Sequence, residues 1–248
     1  MDGFLLEKFN QIEKTHWWWE GRRRLIRNLL KGRTYKRILD VGCGTGETLS
    51  FLKTIFPKAE LYGIDTSSQA IKYTKSRGHQ NVKKANALNL PFDDGFFDAT
   101  LILDVMEHID DDLKVIKEAK RILRRNGRII ITAPALPFIW CEHDTNQGHK
   151  RRYTRRRIIK LAKEANLKVN FLSYFNFIFS LPIITMRLLS RLKPLRSLSN
   201  YDNRVNFDIV QISLLNSILM FLFIHEIRMV KYFKYPFGIS VVAMLKSS

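Results

Sequence analysis

Short apolar runs alternate with helical segments from Arg37 onwards, and this alternation constrains the fold more than any other feature of the sequence. Runs of this length between turn residues are typical of buried strands, and the segments between them carry apolar residues at helical spacing. The predicted strands cover residues 37–41, 60–65, 82–85, 97–103, 127–133, 168–175 and 238–245. The predicted helices between them cover residues 46–56, 67–77, 113–123 and 154–165. The pattern predicts an α/β fold with a doubly wound, mostly parallel seven-stranded sheet, covered by helices on both faces.

The order of these elements divides the chain into a core and its additions. Residues 1–36 are predicted to form an N-terminal helical segment, because apolar residues between positions 4 and 31 recur every three to four residues. Residues 37–175 form the core, residues 176–235 an apolar, basic helical insertion, and residues 236–248 the last strand of the sheet. A chain of 248 residues fits one α/β domain with such elaborations better than two independent domains.

The chain carries a large positive charge that is unevenly distributed. Lys and Arg number 42 against 23 Asp and Glu, which gives a net charge of +19. Residues 141–248 hold 18 of the basic residues and 6 of the acidic ones, and the densest basic run is residues 150–157. Such an excess indicates a nucleic acid, an anionic membrane surface or an acidic ligand as a partner, without choosing among them.

The cysteine content and the first residues predict a reducing, cytoplasmic setting. Two cysteines cannot build a disulfide scaffold, and residues 1–4 lack the basic flank and apolar run of a signal peptide. Two long uncharged stretches, residues 169–186 and 209–224, are too polar or too short for spanning helices and are interpreted as buried or interfacial segments. We therefore expect a cytoplasmic protein, with peripheral contact to a membrane as a further expectation; the sequence predicts no oligomeric state.

A glycine-rich turn connects the first predicted strand to its helix. It reads Asp40-Val41-Gly42-Cys43-Gly44-Thr45-Gly46, and its glycines let the backbone turn tightly and approach a ligand that faces the helix amides. Glu47 stands where the dinucleotide fingerprint has glycine, and no Lys-Ser/Thr pair follows, which excludes a P-loop. The turn therefore predicts a ligand site of another kind.

Polar residues also end the neighbouring predicted strands. Asp65 ends the second strand, Asn86 and Ala87 follow the third, and Asp104 and His108 follow the fourth. Because the carboxyl ends of parallel strands lie along one edge, we expect these groups in a single crevice, where a carboxylate such as Asp65 can accept the hydroxyls of a ribose. The alternative is that Asp65 and Asp104 only cap the helices that follow them.

In these motifs the sequence resembles the class I S-adenosylmethionine-dependent methyltransferases, particularly their small-molecule group. The resemblance runs from about His16 to Tyr153 and extends to residues 236–238. It implies the Rossmann-like methyltransferase fold, methyl transfer as the activity and S-adenosylmethionine as the cofactor. Asn86 departs from the pattern, since this group commonly has Asp there, but an amide oxygen can still accept a bond from an adenine amino group. The cofactor-binding residues that the resemblance implies are Asp40, Gly42, Cys43, Gly44, Gly46, Asp65, Thr66, Asn86, Ala87, Leu103, Asp104 and His108.

The segment after the fifth strand looks like the His-Asp…Gly-His-x-Arg-Arg-Tyr segment of one branch of these enzymes. By this resemblance the catalytic candidates are His143, Asp144 and His149, with His143 or Asp144 as the general base. The same resemblance makes Arg152 and Tyr153 acceptor-binding. Two alternatives stay open, namely a hydrogen-bonded loop that only closes over the site and metal ligation by the His143, Asp144 and His149 trio. We assign no metal on the sequence.

An aromatic and basic motif near the N-terminus, His16-Trp17-Trp18-Trp19 with Gly21-Arg22-Arg23, also recurs in that branch. By this resemblance it forms a lid whose aromatic side chains cover the cofactor or the acceptor and exclude water, with Trp18 and Arg22 binding the substrate. The alternative is that the tryptophans pack the N-terminal helix onto the sheet. Three consecutive side chains cannot share one helix face, so we expect at least one tryptophan in the core and one near the site.

The leading hypothesis is a methyltransferase that acts on an O, N or C atom of a small-molecule or lipid-linked acceptor. The insertion supports it, because basic residues between apolar runs are typical of helices at an anionic lipid surface. Those basic residues are Arg187, Arg191, Lys193 and Arg196. One alternative keeps the chemistry and makes RNA or another nucleic acid the acceptor, although Asp104-Val105-Met106-Glu107 stands where base-methylating enzymes have Asn/Asp-Pro-Pro-aromatic. The other is a non-catalytic, cofactor-binding adaptor for a membrane or a partner.

Overall fold

A computed structural model describes residues 3–189 and 213–247 of the chain. Its strands are β1 (Arg37–Val41), β2 (Glu60–Asp65), β3 (Val82–Lys84), β4 (Phe97–Leu103), β5 (Leu123–Pro134), β6 (Lys168–Phe175) and β7 (Ser240–Lys246). They form one seven-stranded sheet in the order β3-β2-β1-β4-β5-β7-β6. The first five strands run parallel, and β7 lies antiparallel between β5 and β6. The prediction of a doubly wound, mostly parallel seven-stranded sheet is confirmed.

Helices connect the parallel strands and flank them. The described helices are α1 (Gly3–Ile12), α2 (Trp17–Leu30), α3 (Glu47–Ile55), α4 (Ser68–Ser76), α5 (Asp112–Arg121), α6 (Glu142–Asn146), α7 (Arg155–Glu164), α8 (Ser180–Leu189) and α9 (Ser213–Met229). Short 3-10 turns span Met106–His108 and Pro137–Ile139. Because α3, α4 and α5 are the crossovers between parallel strands, the carboxyl ends of β1 to β4 lie along one edge of the sheet.

Strand bounds follow the sequence prediction closely, although β3 ends one residue earlier than predicted, β7 begins two residues later, and β5 is longer. β1, β2, β4 and β6 have the predicted bounds. β5 begins at Leu123 rather than at residue 127, because a register shift lets Leu123 pair with Phe97 of β4 before the regular pairing starts at Arg128. An irregularity of this kind leaves no periodic signal in the sequence, since it interrupts the alternation on which strand prediction depends.

The N-terminal helix predicted over residues 4–31 is two helices, and His16 separates them. The backbone of His16 is extended (φ −72°, ψ 134°), and its Nδ1 accepts a hydrogen bond from the backbone N–H of Trp18 at 3.2 Å. Burial lowers the pKa of His16 to about 4, so the ring is neutral near pH 7 and can act as this helix cap. Arg23 of α2 donates back to the carbonyls of Glu13 and Lys14, which fixes the angle between the two helices.

The apolar core lies between the sheet and its helices. Ile38 and Leu39 of β1 are successive and both fully buried, as expected of a strand covered on both faces. α2 contributes the buried face of the N-terminal segment with Leu25, Ile26, Leu29 and Leu30. The N-terminal segment is therefore part of the folded core and not a separate appendage.

The insertion packs against the N-terminal segment through aromatic side chains. The Phe223 ring of α9 lies 5.3 Å from the Trp17 ring and stacks on Trp18 at 5.6 Å. Gly21 makes this approach possible, because a Cβ at that position would lie 2.1 Å from Phe223 Cδ1. Arg191, Lys193 and Arg196, which the sequence analysis assigned to a lipid surface, lie outside the described residues. Among the helices that the structure describes, none has the length and apolarity needed to cross a membrane.

Candidate active site

The glycine-rich turn after β1 has backbone conformations that favour glycine. Gly42, Gly44 and Gly46 have φ values of 74°, 55° and 90°. A Cβ at Gly42 would lie 2.5 Å from Val105 Cγ2, whereas a Cβ at Gly44 would meet nothing within 4 Å. The turn therefore packs against the loop after β4 on one side and leaves space beside Gly44, where a ligand can approach the backbone.

Asp65 at the end of β2 holds the turn in place. Its Oδ2 accepts a hydrogen bond from the Gly44 N–H at 3.0 Å, and its Oδ1 accepts one from the Ser67 N–H at 2.8 Å. The Thr74 hydroxyl of α4 donates to the Gly44 carbonyl at 2.9 Å. Each oxygen of Asp65 keeps a further lone pair, so local turn formation and ligand binding are compatible roles. The predicted ribose-binding carboxylate and the glycine turn form one unit.

The remaining predicted cofactor residues lie near the same edge, since β3, β2, β1 and β4 are parallel neighbours. Asn86, after β3, uses its side-chain oxygen to accept a hydrogen bond from the backbone N–H two residues later, at 3.0 Å. Ala87 and Leu103 are buried, whereas Thr66 is exposed. Cys43 is buried, and burial raises the pKa of its thiol, so it is a packing residue of the turn and not a nucleophile.

Asp40 at the end of β1 is a buried carboxyl group without a full set of partners. It is 2% exposed, and its Oδ1 has no hydrogen-bond partner among the described residues. Burial raises the pKa of Asp40 to about 7; Arg22 opposes this shift and Asp65 adds to it. A buried acceptor beside a glycine turn can accept a hydrogen bond from a ligand or interact with a ligand's positive charge.

Arg22 of α2 reaches the crevice from the N-terminal segment. Its Nη1 forms an ion pair with Oδ2 of Asp104, and both side chains are largely buried. Asp104 has φ 55°, a conformation that is rare outside glycine and occurs at functional sites. We call the carboxyl ends of β1 to β4, where the predicted cofactor residues lie, the cofactor edge. The structure brings Arg22 to this edge and pairs it with a residue predicted to bind the cofactor. Substrate binding by Arg22 stays a prediction.

Asp144 in α6 is the centre of a buried ionic network. Its Oδ1 lies 2.9 Å from His149 Nδ1 and 2.7 Å from Arg152 Nη2, and its Oδ2 lies 3.1 Å from Arg187 Nη1. Burial alone would raise the pKa of Asp144, but the hydrogen bonds from His149 and Arg152 and the charge of Arg187 hold it well below its usual range. An ionised carboxylate with these donors is a weak base, so the geometry favours His149 over Asp144 for proton transfer.

Three histidines gather between the loop after β4 and the loop after α6. The ring of His149 lies 5.0 Å from that of His108 and 6.3 Å from that of His143. Burial, together with the neighbouring His149, lowers the pKa of His108, which keeps this ring neutral near pH 7. The structure thus brings the three predicted catalytic candidates together and adds His108, which the sequence analysis assigned to the cofactor.

Three other predicted substrate residues contact protein groups. Arg152 donates from Nη1 to the Ala135 carbonyl at 2.8 Å, in addition to its ion pair. Tyr153 is fully buried, and its hydroxyl lies 3.2 Å from Asp112 Oδ2. Trp18 stacks in the aromatic layer between the N-terminal segment and α9, while Trp17 is buried in the core as expected. Acceptor binding by Arg152, Tyr153 and Trp18 stays a prediction.

Two residues of this region have roles that the sequence analysis did not assign. Glu107 is buried with its Oε2 unpartnered among the described residues, and burial raises its pKa well above the usual range, with the charge of Asp104 adding to the effect. Arg187, which the sequence analysis assigned to an anionic lipid surface, instead has a largely buried side chain that contacts Asp144, 43 positions earlier in the chain. Because Glu107 is next to His108 in the sequence, its place in this region could have been predicted. No sequence spacing indicates the contact between Arg187 and Asp144.

Three carboxylates pair with four of the six basic residues in the dense run over residues 150–157. Lys150 pairs with Asp110, and Arg151 and Arg157 both pair with Asp112, at 3.3 and 2.6 Å. With Arg152, four of the six basic residues of the run form ion pairs. This run therefore offers less free charge to a phosphate backbone than its composition indicates.

We expect the Asp40→Asn variant, without cofactor, to gain stability relative to the wild type as the pH rises from 5 to 8. The folded-state pKa of about 7 lies above the ordinary value of 3.8, so the native carboxyl is protonated at pH 5 and becomes ionised while buried at pH 8. Its contribution to the unfolding free energy is present at low pH and lost as the pH rises through about 7, by about 1–3 kcal/mol. Asn does not ionise and avoids this loss.

Urea unfolding of both chains at pH 5, 6, 7 and 8 measures this effect. Exposed Asp93 offers a matched control, since Asp93→Asn removes the same charge at the surface and should give a constant difference from wild type. A constant difference for Asp40→Asn as well would contradict the buried, ionisable Asp40.

Comparison with known proteins finds similarity to methyltransferases over part of the chain. Residues 39–131 match a family model described as a methyltransferase domain. A demethylmenaquinone methyltransferase of Geobacillus sp. (strain WCH70) is 32% identical over 119 residues, which cover 45% of this chain and 50% of that protein. The chloroplastic tocopherol O-methyltransferase of Arabidopsis thaliana is 34% identical over 122 residues, which cover 46% of this chain and 33% of that protein. The chain spans half the length of the first relative and a third of the second.

Solved structures extend the similarity of the fold to nearly the whole chain. The Haemonchus contortus phosphoethanolamine N-methyltransferase 2, solved with phosphomonomethylethanolamine and S-adenosylhomocysteine, superposes with a TM-score of 0.61. The match covers 92% of this chain and 53% of that chain, at 15% identity. At that identity the similarity shows the fold alone.

Proposed function

We propose that the chain is a class I S-adenosylmethionine-dependent methyltransferase that transfers a methyl group from this cofactor to a lipid-linked or otherwise apolar small-molecule acceptor. The observation that carries the proposal is the convergence, at one edge of the sheet, of the glycine turn with Asp40 and Asp65. The acceptor side of the site is the histidine cluster with its buried carboxylate, Asp144.

S-adenosylmethionine is the cofactor, and the residues present fit it. The unpartnered Oδ1 of Asp40 suits a cationic group, and the space beside Gly44 admits a ligand to the backbone of the turn. Asp65 has lone pairs for the ribose hydroxyls, and Asn86 with Ala87 would contact the adenine. When bound, the cofactor supplies an electrophilic methyl group on a sulfonium.

The residues of this chain would position the acceptor and manage its proton. Methyl transfer gains most from alignment, for which effective molarities of roughly 10⁵–10⁸ M are available. His149 would accept a proton at Nε2 where the acceptor is a hydroxyl or an ammonium group, because its Nδ1 donates to Asp144 and is thereby protonated. Asp144 would stabilise this tautomer of His149, and the ion pair with Arg152 would fix the position of Asp144.

The exposed face of the insertion supports an apolar acceptor. Leu181 of α8 and Leu214 of α9 are each 73% exposed, which is unusual for large apolar side chains of a folded domain. Exposed Tyr232 and Phe233 follow α9, with the basic residues Arg228, Lys231 and Lys234 beside them. Aromatic, aliphatic and cationic groups together are typical of a surface that contacts anionic lipid. The acceptors named for the two curated relatives, demethylmenaquinone and tocopherol, are lipid-soluble molecules.

We expect the protein to sediment with anionic vesicles and to label a lipid fraction with the methyl group of radiolabelled S-adenosylmethionine. Leu214→Asp should weaken vesicle binding roughly 10-fold, since it removes an apolar contact and adds a negative charge. Ile159→Asp, at a half-exposed apolar residue of α7 outside this face, is the matched control and should leave binding unchanged.

Each alternative acceptor has its own outcome in the same experiment. Label in RNA without label in lipid would refute the lipid acceptor and restore the nucleic-acid hypothesis. Cofactor binding without transfer to lipid, RNA or water-soluble extract would instead favour the non-catalytic adaptor.

A further inference from the structure

Glu107, His108 and His149 bring three metal-ligating side chains to one point of the molecule. Glu107 and His108 lie in the 3-10 turn after β4, and His149 follows α6. One ligand atom from each side chain lies within 4.8 Å of the other two. Ligand atoms around one ion, with bonds of about 2.1 Å, stand roughly 3–3.5 Å apart, so small side-chain rotations suffice to close the site.

Both histidines have the tautomer that a metal ligand needs. His108 Nδ1 lies 3.3 Å from the Gly148 carbonyl oxygen, and His149 Nδ1 lies 2.9 Å from Asp144 Oδ1. A carbonyl and an ionised carboxylate can only accept, so each Nδ1 carries a proton and the lone pair that a metal needs is the one on Nε2. Hydrogen bonds of this kind orient metal-binding histidines in many proteins.

Glu107 supplies the second, independent observation. Its side chain is buried at 1% exposure, and its Oε2 has no hydrogen-bond partner among the residues that the structure describes. A buried carboxyl oxygen without a protein partner is rare in native proteins and is typical of a position that binds a ligand, an ion or a water molecule. A cation between the two Nε2 atoms and this carboxylate would satisfy it.

The arrangement differs from the metal alternative raised by the sequence, which named His143, Asp144 and His149. The oxygens of Asp144 are occupied by His149, Arg152 and Arg187. Asp144 is therefore placed to orient a ligand and not to be one.

We propose that Glu107, His108 and His149 form a binding site for one divalent transition-metal ion. Two imidazole nitrogens with one carboxylate oxygen suit Zn²⁺, Fe²⁺, Co²⁺ or Mn²⁺ better than Ca²⁺ or Mg²⁺, which prefer oxygen ligands. Three protein ligands leave coordination positions for other groups. In the function proposed above, such an ion would bind an oxygen of the acceptor and lower the pKa of its hydroxyl. The lone pair of His149 Nε2 would then hold the ion, so the acceptor's proton would leave to solvent and not to His149. That consequence rests on the proposed function, whereas ion binding does not.

Nuclear magnetic resonance of the histidine side chains tests the site in the full-length chain without cofactor or acceptor. The chain has six histidines, and adding one equivalent of Zn²⁺ to chelator-treated protein should shift the Nε2 signals of His108 and His149 alone. Shifts at His143 instead of His108 would support the alternative trio and overturn the proposal. No shift at stoichiometric zinc would overturn it as well.

Titration with Co²⁺, monitored by the visible absorption of the bound ion, measures the affinity of the wild type and of two matched variants for the ion. Wild type should bind one equivalent, and Glu107→Gln, which keeps the side-chain volume, should weaken binding about 10–100-fold. His225→Ala on exposed α9 is the control and should bind as the wild type does. An equal loss of Co²⁺ affinity in Glu107→Gln and His225→Ala, or no loss in Glu107→Gln, would refute the assignment of ligands. Since the readout uses only the ion, its failure would leave methyl transfer untouched, and failed methyl transfer would leave ion binding standing.

Discussion

Asp144→Ala should lower the unfolding free energy by about 3–5 kcal/mol, because it removes the only carboxylate described in contact with two largely buried arginines. The side chain of Asp144 is 0% exposed, and those of Arg152 and Arg187 are 2% and 15% exposed. Without Asp144 the buried Arg152 guanidinium loses its only carboxylate partner among the described residues, Arg187 loses this ion pair, and the Cys141 N–H loses its acceptor. Thermal unfolding should show a melting temperature lower by roughly 10 °C or more.

A surface ion pair at the same loop provides the control for this prediction. Asp110 pairs with Lys150, but the Asp110 side chain is 82% exposed. Exposed pairs contribute about 0–1 kcal/mol, so Asp110→Ala should leave the melting temperature almost unchanged. An equal decrease in melting temperature for Asp110→Ala and Asp144→Ala would contradict the central role of Asp144 in the buried ionic network. Asp144→Asn, which keeps the shape, should fall between them, since the amide retains one acceptor oxygen.

Asp65→Ala should weaken S-adenosylmethionine binding by about 100-fold. Two hydrogen bonds from ribose hydroxyls to an ionised carboxylate are each worth about 1.5–3 kcal/mol, and both disappear. The Gly44 N–H also loses its acceptor, so the glycine turn becomes less ordered. Calorimetric titration with S-adenosylmethionine and with S-adenosylhomocysteine measures the loss, which should be similar for both ligands because they share the ribose.

Asp98 is the matched control for Asp65. It lies at the opposite end of the strands, where its Oδ2 accepts hydrogen bonds from the backbone N–H groups of Lys36 and Arg37. Asp98→Ala should therefore lower stability while leaving the cofactor affinity intact. Undiminished affinity in Asp65→Ala would remove the ribose role from that residue and weaken the assignment of the whole cofactor edge.

Much of the fold and the cofactor edge could be predicted from the sequence, because these features depend on local patterns. β1, β2, β4 and β6 are short apolar runs between turn residues, and their bounds agree with the structure. The glycine turn and Asp65 directly follow or end such runs, so the parallel sheet brings them to one edge without further information. The start of β5 and the division between α1 and α2 were missed, since a register shift interrupts the strand alternation and a single capping histidine hardly changes the helical periodicity.

The acceptor side depended on contacts between distant segments. The sequence analysis grouped His143, Asp144 and His149 by the resemblance of their segment to one branch of methyltransferases, but it did not indicate that Asp144 would be engaged by Arg187, nor that His108 and Glu107 would face His149. It also identified residues 150–157 as the densest basic run without indicating that Asp110, Asp112 and Asp144 would pair with four of its six basic residues.

The sequence by itself determined the doubly wound sheet and the position of the glycine turn and Asp65 at one of its edges, since strand periodicity, glycine spacing and the residues at strand ends are properties of neighbouring positions. Only the tertiary structure decided which charges are paired, which carboxyl groups are buried without partners, and which histidines face one another. The physical reason is that burial and ion pairing depend on how separate segments pack, as Arg22 with Asp104 and Asp144 with Arg187 show.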